Sequence, residues 1–377
     1  MIPYGHQYVD NDDIEEVIKV LKSDWLTQGP KVHEFEKALA DYCGIKYAVV
    51  VSNGTAALHA AYCAVGLKSN DEFITSPITF PATSNAGLWQ NGKPVFVDVE
   101  LKTGNINPDL IEEKITNKTK VIVPVDFAGR PVDLEKIKKI AKKYNLIVIE
   151  DACQALGASY NGKKIGSISD LTVFSFHPVK SITTGEGGAV LTNNEDYYKR
   201  IKRFITHGIE KKDFIYEPDG DWYFEMQDLG QNYRLTDFQC ALGLSQLRKL
   251  NKFIEKRRLL VERYNQAFQN YKNIQIPIFD SYETKSAWHL YVLRLQGELV
   301  GRKAEIFRKL REKGVGVQVH HIPVYLHPYY QNLGYQKGLC PQAEKFYESA
   351  ISLPLYPSLS EDEQDEVIQV FCNIINN

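Results

Sequence analysis

Short apolar segments alternate with helical patterns through the first half of the chain, and this alternation constrains the fold more than any other feature. Apolar and β-branched runs predict strands at Tyr47–Val51, Glu72–Thr75, Pro94–Val97, Lys120–Pro124 and Leu146–Glu150. Helical patterns such as Ala56–Val65 and Leu134–Tyr144 lie between them. Strands separated by helices pair in parallel and are covered on both faces. The sequence therefore predicts an α/β fold with a large, mostly parallel sheet.

The rest of the chain predicts an opening helix, a return strand, a long linking helix and a second, smaller unit. Asp10–Lys22 is an amphipathic helical pattern, and Leu171–Phe176 and Gly188–Leu191 are strands one loop apart, as in a hairpin. A helical pattern extends from Thr236 to about Phe268. The last part alternates predicted strands and helices, namely Leu290–Leu295, Arg302–Lys313, Val315–Val319 and Pro341–Ser349. We expect a large domain over residues 1–240 and a smaller α+β domain over residues 241–377 that includes the linking helix.

Composition and charge narrow the class of protein. Hydrophobic residues make up 44% of the chain and charged residues 24%, which is typical of a soluble globular protein. The formal net charge of −2 disfavours a nucleic-acid partner. The six cysteines form no C-x-x-C pair, so we expect no metal site and reduced thiols. No apolar run approaches the ~20 residues of a membrane span and no signal peptide opens the chain, so we expect a cytoplasmic protein without membrane contact.

A turn between the first predicted strand and its helix has the features of a phosphate site. Residues 52–58 read S-N-G-T-A-A-L, in which Gly54 permits a tight turn before the helix. The free N–H groups and positive dipole end of a helix N-terminus attract phosphate, and the Thr55 hydroxyl adds a donor. Many α/β proteins have a capped turn at this place, so a purely structural role is the alternative.

A carboxylate, Asp151, directly follows the predicted strand Leu146–Glu150. Ligands of open α/β sheets bind beyond the carboxyl ends of the strands, where this side chain is expected. Enzymes that use pyridoxal phosphate (PLP) need a carboxylate on the pyridine nitrogen, because a protonated ring withdraws electrons from the substrate. The alternative is that Asp151 caps a helix beginning at Ala152.

One lysine, Lys180, lies between an apolar strand and a glycine-rich turn. Residues 173–188 read V-F-S-F-H-P-V-K-S-I-T-T-G-E-G-G. Apolar surroundings lower the pKa of an ammonium group and favour the neutral, nucleophilic amine. The nearby glycines would let the backbone approach a ligand closely. A lone loop lysine is ordinarily solvated, so the inference depends on the other two features.

The order of these three parts, together with the segment around Lys180, resembles a known family. The motif F-S-F-H-P-V-K-S-I-T-T-G-E-G-G is similar to that of the DegT/DnrJ/EryC1/StrS aminotransferases, which act on nucleotide-linked keto sugars with PLP. The resemblance runs from W-L-T-Q-G-P at residues 25–30 to I-S-L-P-L-Y-P at residues 351–357. It implies an aspartate-aminotransferase-type (fold type I) PLP transferase, with a large sheet domain and a smaller C-terminal domain.

The resemblance assigns the cofactor contacts. Lys180 would hold PLP in a Schiff base and carry the proton between substrate and cofactor. Asp151 would pair with the pyridine nitrogen and Gln154 with the phenolic oxygen. The phosphate would be held by Gly54, Thr55 and Ser175.

Two further cofactor contacts are implied, one of them between subunits. Phe80 would stack on the ring, with a buried core aromatic as the alternative. Asn232, in G-Q-N-Y-R-L, resembles the asparagine that reaches the phosphate of a neighbouring subunit. If it does so here, the protein is a homodimer with shared active sites.

Within the family, the resemblance is nearest to members that aminate C4 of UDP-linked 4-keto-6-deoxy-N-acetylhexosamines, usually with glutamate as amino donor. The supporting segments are L-T-Q-G, H-G-I-E-K-K-D-F and V-Q-V-H-H-I-P-V-Y. The residues that would line the sugar-nucleotide cleft are Tyr4, Asp24, Trp25, Leu26, Thr27, His177, His320, His321, Ile322 and Pro323. For the loop residues of this set, the alternative role is packing at a domain interface. For His177, the alternative role is that of a structural histidine bonded to the backbone.

His320 and His321 are adjacent, so on a strand their side chains would point to opposite faces. They could not then bind one metal ion together. The sequence therefore predicts no metal at this pair.

Three other functions are weighed against the sugar aminotransferase. Tyr160 and Lys164 match the Y-x-x-x-K pair of NAD-dependent sugar dehydrogenases and epimerases, but Asn161-Gly162 between them favours a turn over the required helix. A PLP-dependent sugar dehydratase would, by resemblance, carry histidine in place of Lys180. A purely binding protein would not need an amine nucleophile.

The identity of the sugar substrate also stays open. The alternatives to the UDP-linked 4-keto-6-deoxy-N-acetylhexosamine are sugars of the perosamine, bacillosamine or 4-amino-arabinose type.

Overall fold

A seven-stranded sheet organises the first half of the protein in a computed structural model that describes residues 1–376. Residue 377, the last of the predicted C-terminal domain, lies outside the described residues. The strands of this sheet are β1 (Tyr47–Val51), β2 (Glu72–Thr75), β3 (Lys93–Phe96), β4 (Thr119–Val123), β5 (Ile147–Asp151), β8 (Leu171–Ser175) and β9 (Gly188–Thr192), in the spatial order β1-β9-β8-β5-β4-β2-β3. Only β9 runs antiparallel to its neighbours, β1 and β8. This confirms the mostly parallel sheet and the hairpin-like return.

Helices cover both faces of the sheet and continue into the C-terminal part. They are α1 (Asn11–Leu21), α2 (Pro30–Cys43), α3 (Gly54–Ala64), α4 (Ala82–Trp89), α5 (Leu134–Tyr144), α6 (Glu195–Phe204), α7 (Asp237–Phe268), α8 (Lys303–Glu312), α9 (Pro328–Asn332), α10 (Pro341–Ser349) and α11 (Glu361–Asn376). One core lies under α2 and α5, and another under α3 and α6. Apolar side chains on both sides of the strands therefore meet packed helices, as a parallel sheet requires.

Helix α3 is apolar on nearly every side, because it lies between the sheet and other helices. Its sequence, G-T-A-A-L-H-A-A-Y-C-A, consists largely of small residues that allow close approach to the strands. A helix that is hydrophobic all round is a buried one. The first turn of α3 is thereby fixed against the sheet, at the carboxyl end of β1.

The C-terminal part has its own antiparallel sheet and its own apolar core. The strands are β12 (Ile274–Gln275), β14 (Tyr291–Leu295) and β15 (Ala350–Leu353), paired in the order β12-β14-β15. Side chains from α7, α8 and α11 pack on them in one cluster. The predicted boundary between residues 240 and 241 falls within α7, which connects the two parts, and it stays a prediction.

The strand predicted at Val315–Val319 is wrong. This segment makes only two isolated bridges, between Val315 and Ile2 and between Gln318 and Ser352. It lies between the N-terminal segment and β15, so it pairs with one residue on each side and forms no ladder. The strand that pairs with β14 is β15.

The segment with the Y-x-x-x-K spacing forms a tight hairpin. β6 (Ser159–Tyr160) pairs antiparallel with β7 (Lys163–Lys164), and β13 (Thr284–Lys285) extends this small sheet. Asn161 and Gly162 both have positive φ, 48° and 75°, as the central residues of a two-residue turn do. Tyr160 and Lys164 therefore do not face each other across a helical turn, which removes the catalytic pair of the dehydrogenase reading.

A further short hairpin, β10 (Ile209–Glu210) with β11 (Glu225–Met226), flanks a loop rich in exposed aromatic side chains. Within residues 1–376, no helix combines the length and the apolar character needed to cross a membrane.

Candidate active site

A cavity of about 860 Å³ opens at the carboxyl ends of β1, β5 and β8. It brings together seven of the eight predicted cofactor contacts, which are Gly54, Thr55, Phe80, Asp151, Gln154, Ser175 and Lys180. Residues far apart in sequence meet here because parallel strands end at the same edge of the sheet, where open α/β folds bind ligands. The eighth, Asn232, is exposed and does not line the cavity of its own chain.

The first turn of α3 presents unpaired backbone donors. The Asn53 side chain accepts from the Ala56 N–H at 2.8 Å, and its carbonyl oxygen accepts from the Ala57 N–H at 3.1 Å. Among the described residues, the N–H groups of Gly54 and Thr55 have no acceptor. Two free N–H groups at a helix N-terminus are suited to an anion such as phosphate.

Gly54 allows this turn to lie directly against β8. A Cβ atom at this position would lie 2.9 Å from Cβ of Ser175 and 3.3 Å from Sγ of Cys153. No larger residue fits without displacing one of them. The close approach places the Ser175 hydroxyl beside the free N–H groups of the turn, so three donors converge on one region of the cavity.

Asp151 ends β5 and is 5% exposed, with both carboxylate oxygens bonded. The hydroxyl of Thr83, on α4, donates to Oδ2 at 2.6 Å, and the Cys153 N–H donates to Oδ1 at 3.2 Å. Thr83 is itself 2.7 Å from the Thr79 hydroxyl. These bonds fix the orientation of the carboxylate, as a charged group in a binding site requires.

The amide of Gln154 is oriented by a backbone donor. Its Oε1 accepts from the Ala128 N–H at 2.7 Å. Since the oxygen is engaged there, the NH₂ group is the part of this side chain that remains for a ligand in the cavity. A donor at this position suits a ligand oxygen.

Lys180 lies in the loop between β8 and β9, where its backbone N–H donates to the His177 carbonyl oxygen at 2.9 Å. Within residues 1–376, its Nζ has no hydrogen bond or ion pair. Burial lowers the pKa of Lys180, and this effect outweighs those of Cys153 and Asp151, which raise it. A larger fraction of the side chain is therefore the neutral amine near neutral pH, which is the nucleophilic form.

Three neutral histidines form the wall of the cavity on the side of the C-terminal part. Burial lowers the pKa of His320 to about 4, and the charge of Lys180 acts in the same direction. Burial also holds the pKa values of His289 and His321 well below the ordinary range. Nδ1 of His320 is 2.8 Å from the Ser352 hydroxyl. Neutral imidazoles can bond sugar hydroxyls without a counter-ion.

The expectation that His320 and His321 point to opposite faces is wrong. Both line the same cavity, and their ring centroids are 4.9 Å apart. The alternation of a strand does not apply here, because the segment forms only the isolated bridge at Gln318. In the described part of the chain, no cluster of three or more histidine, cysteine or acidic side chains has the arrangement of a metal site.

The predicted substrate contacts divide into two groups. Those that line the cavity are Tyr4, His177, His320 and His321. Those that do not are Asp24, Trp25, Leu26, Thr27, Ile322 and Pro323. The loop with Trp25 and Leu26 is exposed and packs against the start of α7, where the Asp237 N–H donates to the Leu26 carbonyl oxygen at 3.1 Å. The role of the second group stays a prediction.

Phe80 lines the cavity but is 63% exposed, so the reading of a buried core aromatic is wrong. It meets His321 edge to face, with ring centroids 6.3 Å apart. A large exposed ring at a cavity wall is free to cover a flat ligand.

Several cavity residues were missed in the sequence, notably Thr83, His289 and Tyr233. Thr83 is three residues after Phe80, and Pro81 marks the start of α4, so a helix prediction there would have found it. His289 stands among apolar residues and Tyr233 beside the predicted Asn232. Neither carries a local signal of its own.

Fold and cavity place the protein in the class of aminotransferases built on the aspartate-aminotransferase type of fold. Within that class, the chain belongs to the DegT/DnrJ/EryC1/StrS aminotransferase family, whose sequence model matches residues 7–371. The resemblance seen in the motif around Lys180 is thereby confirmed.

Two named bacterial aminotransferases are similar to this protein over nearly the whole chain. A protein of Campylobacter jejuni named UDP-4-amino-4,6-dideoxy-N-acetyl-β-L-altrosamine transaminase is 42% identical, over 96% of this chain and 94% of its own. The structure of Helicobacter pylori PseC, an aminotransferase of pseudaminic acid biosynthesis, superimposes with a TM-score of 0.94 at 35% identity, covering 100% and 99% of the two chains.

A third comparison bears on the cofactor. A Streptococcus pneumoniae protein described as a sugar aminotransferase, solved in its PLP form, has a TM-score of 0.93 at 30% identity and covers 100% of this chain and 98% of its own. Membership of this family and the similarity to a structure solved with PLP together imply that the protein depends on PLP.

The lowered pKa of Lys180 predicts the pH dependence of covalent attachment of PLP to the cofactor-free protein. A lowered pKa leaves more neutral amine at any pH below about 10.4, the ordinary value for lysine. The attachment rate is therefore expected to reach half its maximum below that pH. Asp151→Asn should move the midpoint further down, because the carboxylate favours the ammonium form. Stopped-flow absorbance over a pH series measures both, and an ordinary midpoint in the unchanged protein would contradict the desolvation of Lys180.

Proposed function

We propose that the protein is a PLP-dependent transaminase that moves the amino group of glutamate to C4 of a UDP-linked 4-keto-6-deoxy-N-acetylhexosamine. This is the activity of a UDP-4-amino-4,6-dideoxy-N-acetyl-β-L-altrosamine transaminase of pseudaminic acid biosynthesis. One observation carries the proposal: Lys180, with its lowered pKa, shares a cavity with a buried carboxylate and a turn with free N–H groups. The names of the Campylobacter and Helicobacter relatives support the choice of sugar.

The residues of the cavity fit PLP. When bound, PLP supplies a ring that withdraws electrons from the substrate carbon that gains or loses nitrogen. The N–H groups of Gly54 and Thr55, with the hydroxyls of Thr55 and Ser175, would hold its phosphate. Asp151 would accept from the ring nitrogen, and the NH₂ group of Gln154 would donate to the phenolic oxygen.

Lys180 would transfer the proton in both halves of the reaction. Burial lowers the pKa of its Nζ, so the neutral amine can take a proton from a substrate carbon and return it near neutral pH. The bonds from Thr83 and the Cys153 N–H keep Asp151 in place while the proton moves. Phe80 would cover the ring at the open side of the cavity.

The remaining volume suits a sugar substrate. Ligand pockets measure roughly 300–1,000 Å³, and about 860 Å³ admits a cofactor together with a hexose. The sugar would be contacted by Tyr4, His177, His320 and His321. His320 and His321 belong to the C-terminal part, and Tyr4 belongs to the N-terminal segment that packs against it. A sugar dehydratase is disfavoured, because Lys180 occupies the position of the histidine in that branch.

A panel of substrates tests the proposal. The protein is given UDP- and dTDP-linked 4-keto-6-deoxy sugars with glutamate, and the products are identified by NMR. The expected result is an amine at C4 of the UDP-linked N-acetylhexosamine, formed faster than any other product. Faster amination of a sugar of the perosamine, bacillosamine or 4-amino-arabinose type would replace the proposed substrate, and no amination of any sugar would refute the function.

We also propose that the working unit is a homodimer, in which Asn232 of the partner subunit reaches the cofactor phosphate. Asn232 is exposed within its own chain. The segment that precedes it, residues 215–229, exposes several large apolar side chains, namely Ile215, Tyr216, Trp222, Phe224, Met226 and Leu229. Exposed apolar side chains grouped in one segment support a protein interface there. Sedimentation velocity of active protein should give a dimer, and a fully active monomer would rule out the shared site.

A further inference from the structure

A buried histidine of α3, His59, connects the phosphate turn to two other segments. It is 8% exposed and has a partner on each ring nitrogen. Nε2 is 2.8 Å from Nε2 of Gln90, and Nδ1 is 3.0 Å from the hydroxyl of Tyr233. Trp89 and Phe204 meet the ring edge to face at 5.2 and 5.1 Å. The imidazole is therefore held in one orientation by packing and by two hydrogen bonds.

The direction of these hydrogen bonds follows from the atoms involved. Burial lowers the pKa of His59, so the ring is neutral and carries a single proton. With the amide nitrogen of Gln90 facing Nε2, the amide donates and Nε2 accepts. The proton of the ring is then on Nδ1, which donates to the Tyr233 oxygen. The hydroxyl proton of Tyr233 is left for another acceptor.

Tyr233 lies beside the phosphate turn. Its carbonyl oxygen accepts from the Ser52 N–H at 2.8 Å, and its side chain lines the same cavity as Asn53 and Thr55. His59 comes four residues after Thr55, so the two side chains lie on the same face of α3. The Tyr233 hydroxyl is 3.0 Å from this imidazole, and Tyr233 lines the cavity that Gly54 and Thr55 also line.

We propose that the Tyr233 hydroxyl donates a hydrogen bond to the phosphate of the bound cofactor, with His59 as the positioning residue that aims it. This rests on the proposed PLP dependence, and it adds a side-chain donor to those of Thr55 and Ser175. The diphosphate of a nucleotide sugar offers the same chemistry, but it does not need to reach the first turn of α3, where Tyr233 is anchored.

Affinity for PLP and for pyridoxal, which lacks the phosphate, tests the assignment without turnover. Both are titrated by absorbance against the cofactor-free full-length protein. Tyr233→Phe is expected to weaken PLP binding about 10- to 100-fold, the effect of losing one hydrogen bond to a charged group, and to leave pyridoxal binding unchanged. Tyr197→Phe, a partly buried tyrosine of α6 outside the cavity, serves as the matched control and should change neither.

The positioning role of His59 has its own readout. In protein labelled with ¹⁵N-histidine, the neutral tautomer of His59 should carry its proton on Nδ1. His59→Gln is expected to lose part of the selectivity for PLP over pyridoxal. A proton on Nε2, or loss of selectivity in Tyr233→Phe without any change in His59→Gln, would remove the positioning role.

Other outcomes overturn the assignment or separate it from the proposed function. Equal weakening of PLP and pyridoxal, or no weakening of either, would refute the phosphate contact. A raised KM for the sugar nucleotide with unchanged PLP affinity would assign the hydroxyl to the diphosphate instead. If PLP selectivity falls as expected but no keto sugar is aminated, the phosphate contact stands and the proposed substrate is wrong.

Discussion

Replacing Lys180 with arginine is expected to lower the turnover number by about a thousandfold or more. Positioned proton transfer alone contributes about 10²–10⁴ in rate, and the covalent role of the amine adds to it. Arginine keeps the charge but stays protonated, so it can neither attack the cofactor nor accept a proton from the substrate. Initial rates of amino transfer from glutamate to the keto sugar measure the loss.

A matched variant separates this effect from general damage. Lys163→Arg changes an exposed lysine of the β6–β7 hairpin and should leave the rate and the melting temperature unchanged. Borohydride treatment of the unchanged protein should fix the cofactor on the peptide that contains Lys180. Full turnover by Lys180→Arg, or fixation on another lysine, would show that the assignment of this residue is wrong.

Replacing Asp151 with asparagine is expected to lower turnover by about a hundredfold to a thousandfold, comparable to the loss of one preorganised electrostatic contact in other enzymes. The carboxylate would stabilise a proton on the ring nitrogen, and a neutral amide cannot do so to the same extent. The amide also loses an acceptor, because Thr83 and the Cys153 N–H each donate to a different oxygen of Asp151. Single-turnover rates under saturating cofactor measure the chemical step.

Cofactor absorbance and a second variant control this experiment. Asp196→Asn, at an exposed position in the first turn of α6, should retain full activity. In Asp151→Asn, the absorbance of the bound cofactor should shift, since the protonation of its ring changes. An unchanged rate with an unchanged spectrum would mean that Asp151 is only a structural carboxylate at the end of β5.

Much of the large sheet could be predicted from local patterns. The strands Tyr47–Val51 and Glu72–Thr75 and the helices Leu134–Tyr144 and Pro341–Ser349 have the predicted bounds. Strands buried on both faces are continuous apolar runs, which stand out in a sequence. Helix α5 has clear signals at both ends, since Asp133 caps its start and Asn145 ends it in the left-handed conformation.

The C-terminal part was harder to predict because its pairing is not local. Val315–Val319 has the composition of a strand, yet tertiary contacts give it two single bridges only. The strand beside β14 is Ala350–Leu353, which comes from more than fifty residues further along the chain. Short strands that pair across such a distance carry no periodicity that distinguishes them from loops.

The residues of the site likewise divide into those with a sequence signal and those placed by tertiary packing. Residues at strand ends, such as Asp151 and Ser175, could be predicted because the sheet topology brings them to one edge. Lys180 was found through its motif. His289 and Tyr233 reach the cavity through loops whose paths are set by packing, so no spacing in the sequence points to them. The donor that orients Gln154, the Ala128 N–H, is a backbone group and has no sequence signal.

Transfer of labelled nitrogen in two separate steps tests the central claim most directly. The PLP-loaded protein is incubated with ¹⁵N-glutamate, the free amino acid is removed by gel filtration, and the UDP-linked 4-keto-6-deoxy-N-acetylhexosamine is then added. The account predicts that one ¹⁵N per active site appears at C4 of the sugar, and that Lys180→Arg transfers none. Sugar without ¹⁵N, or labelling that requires glutamate and sugar to be present together, would contradict it.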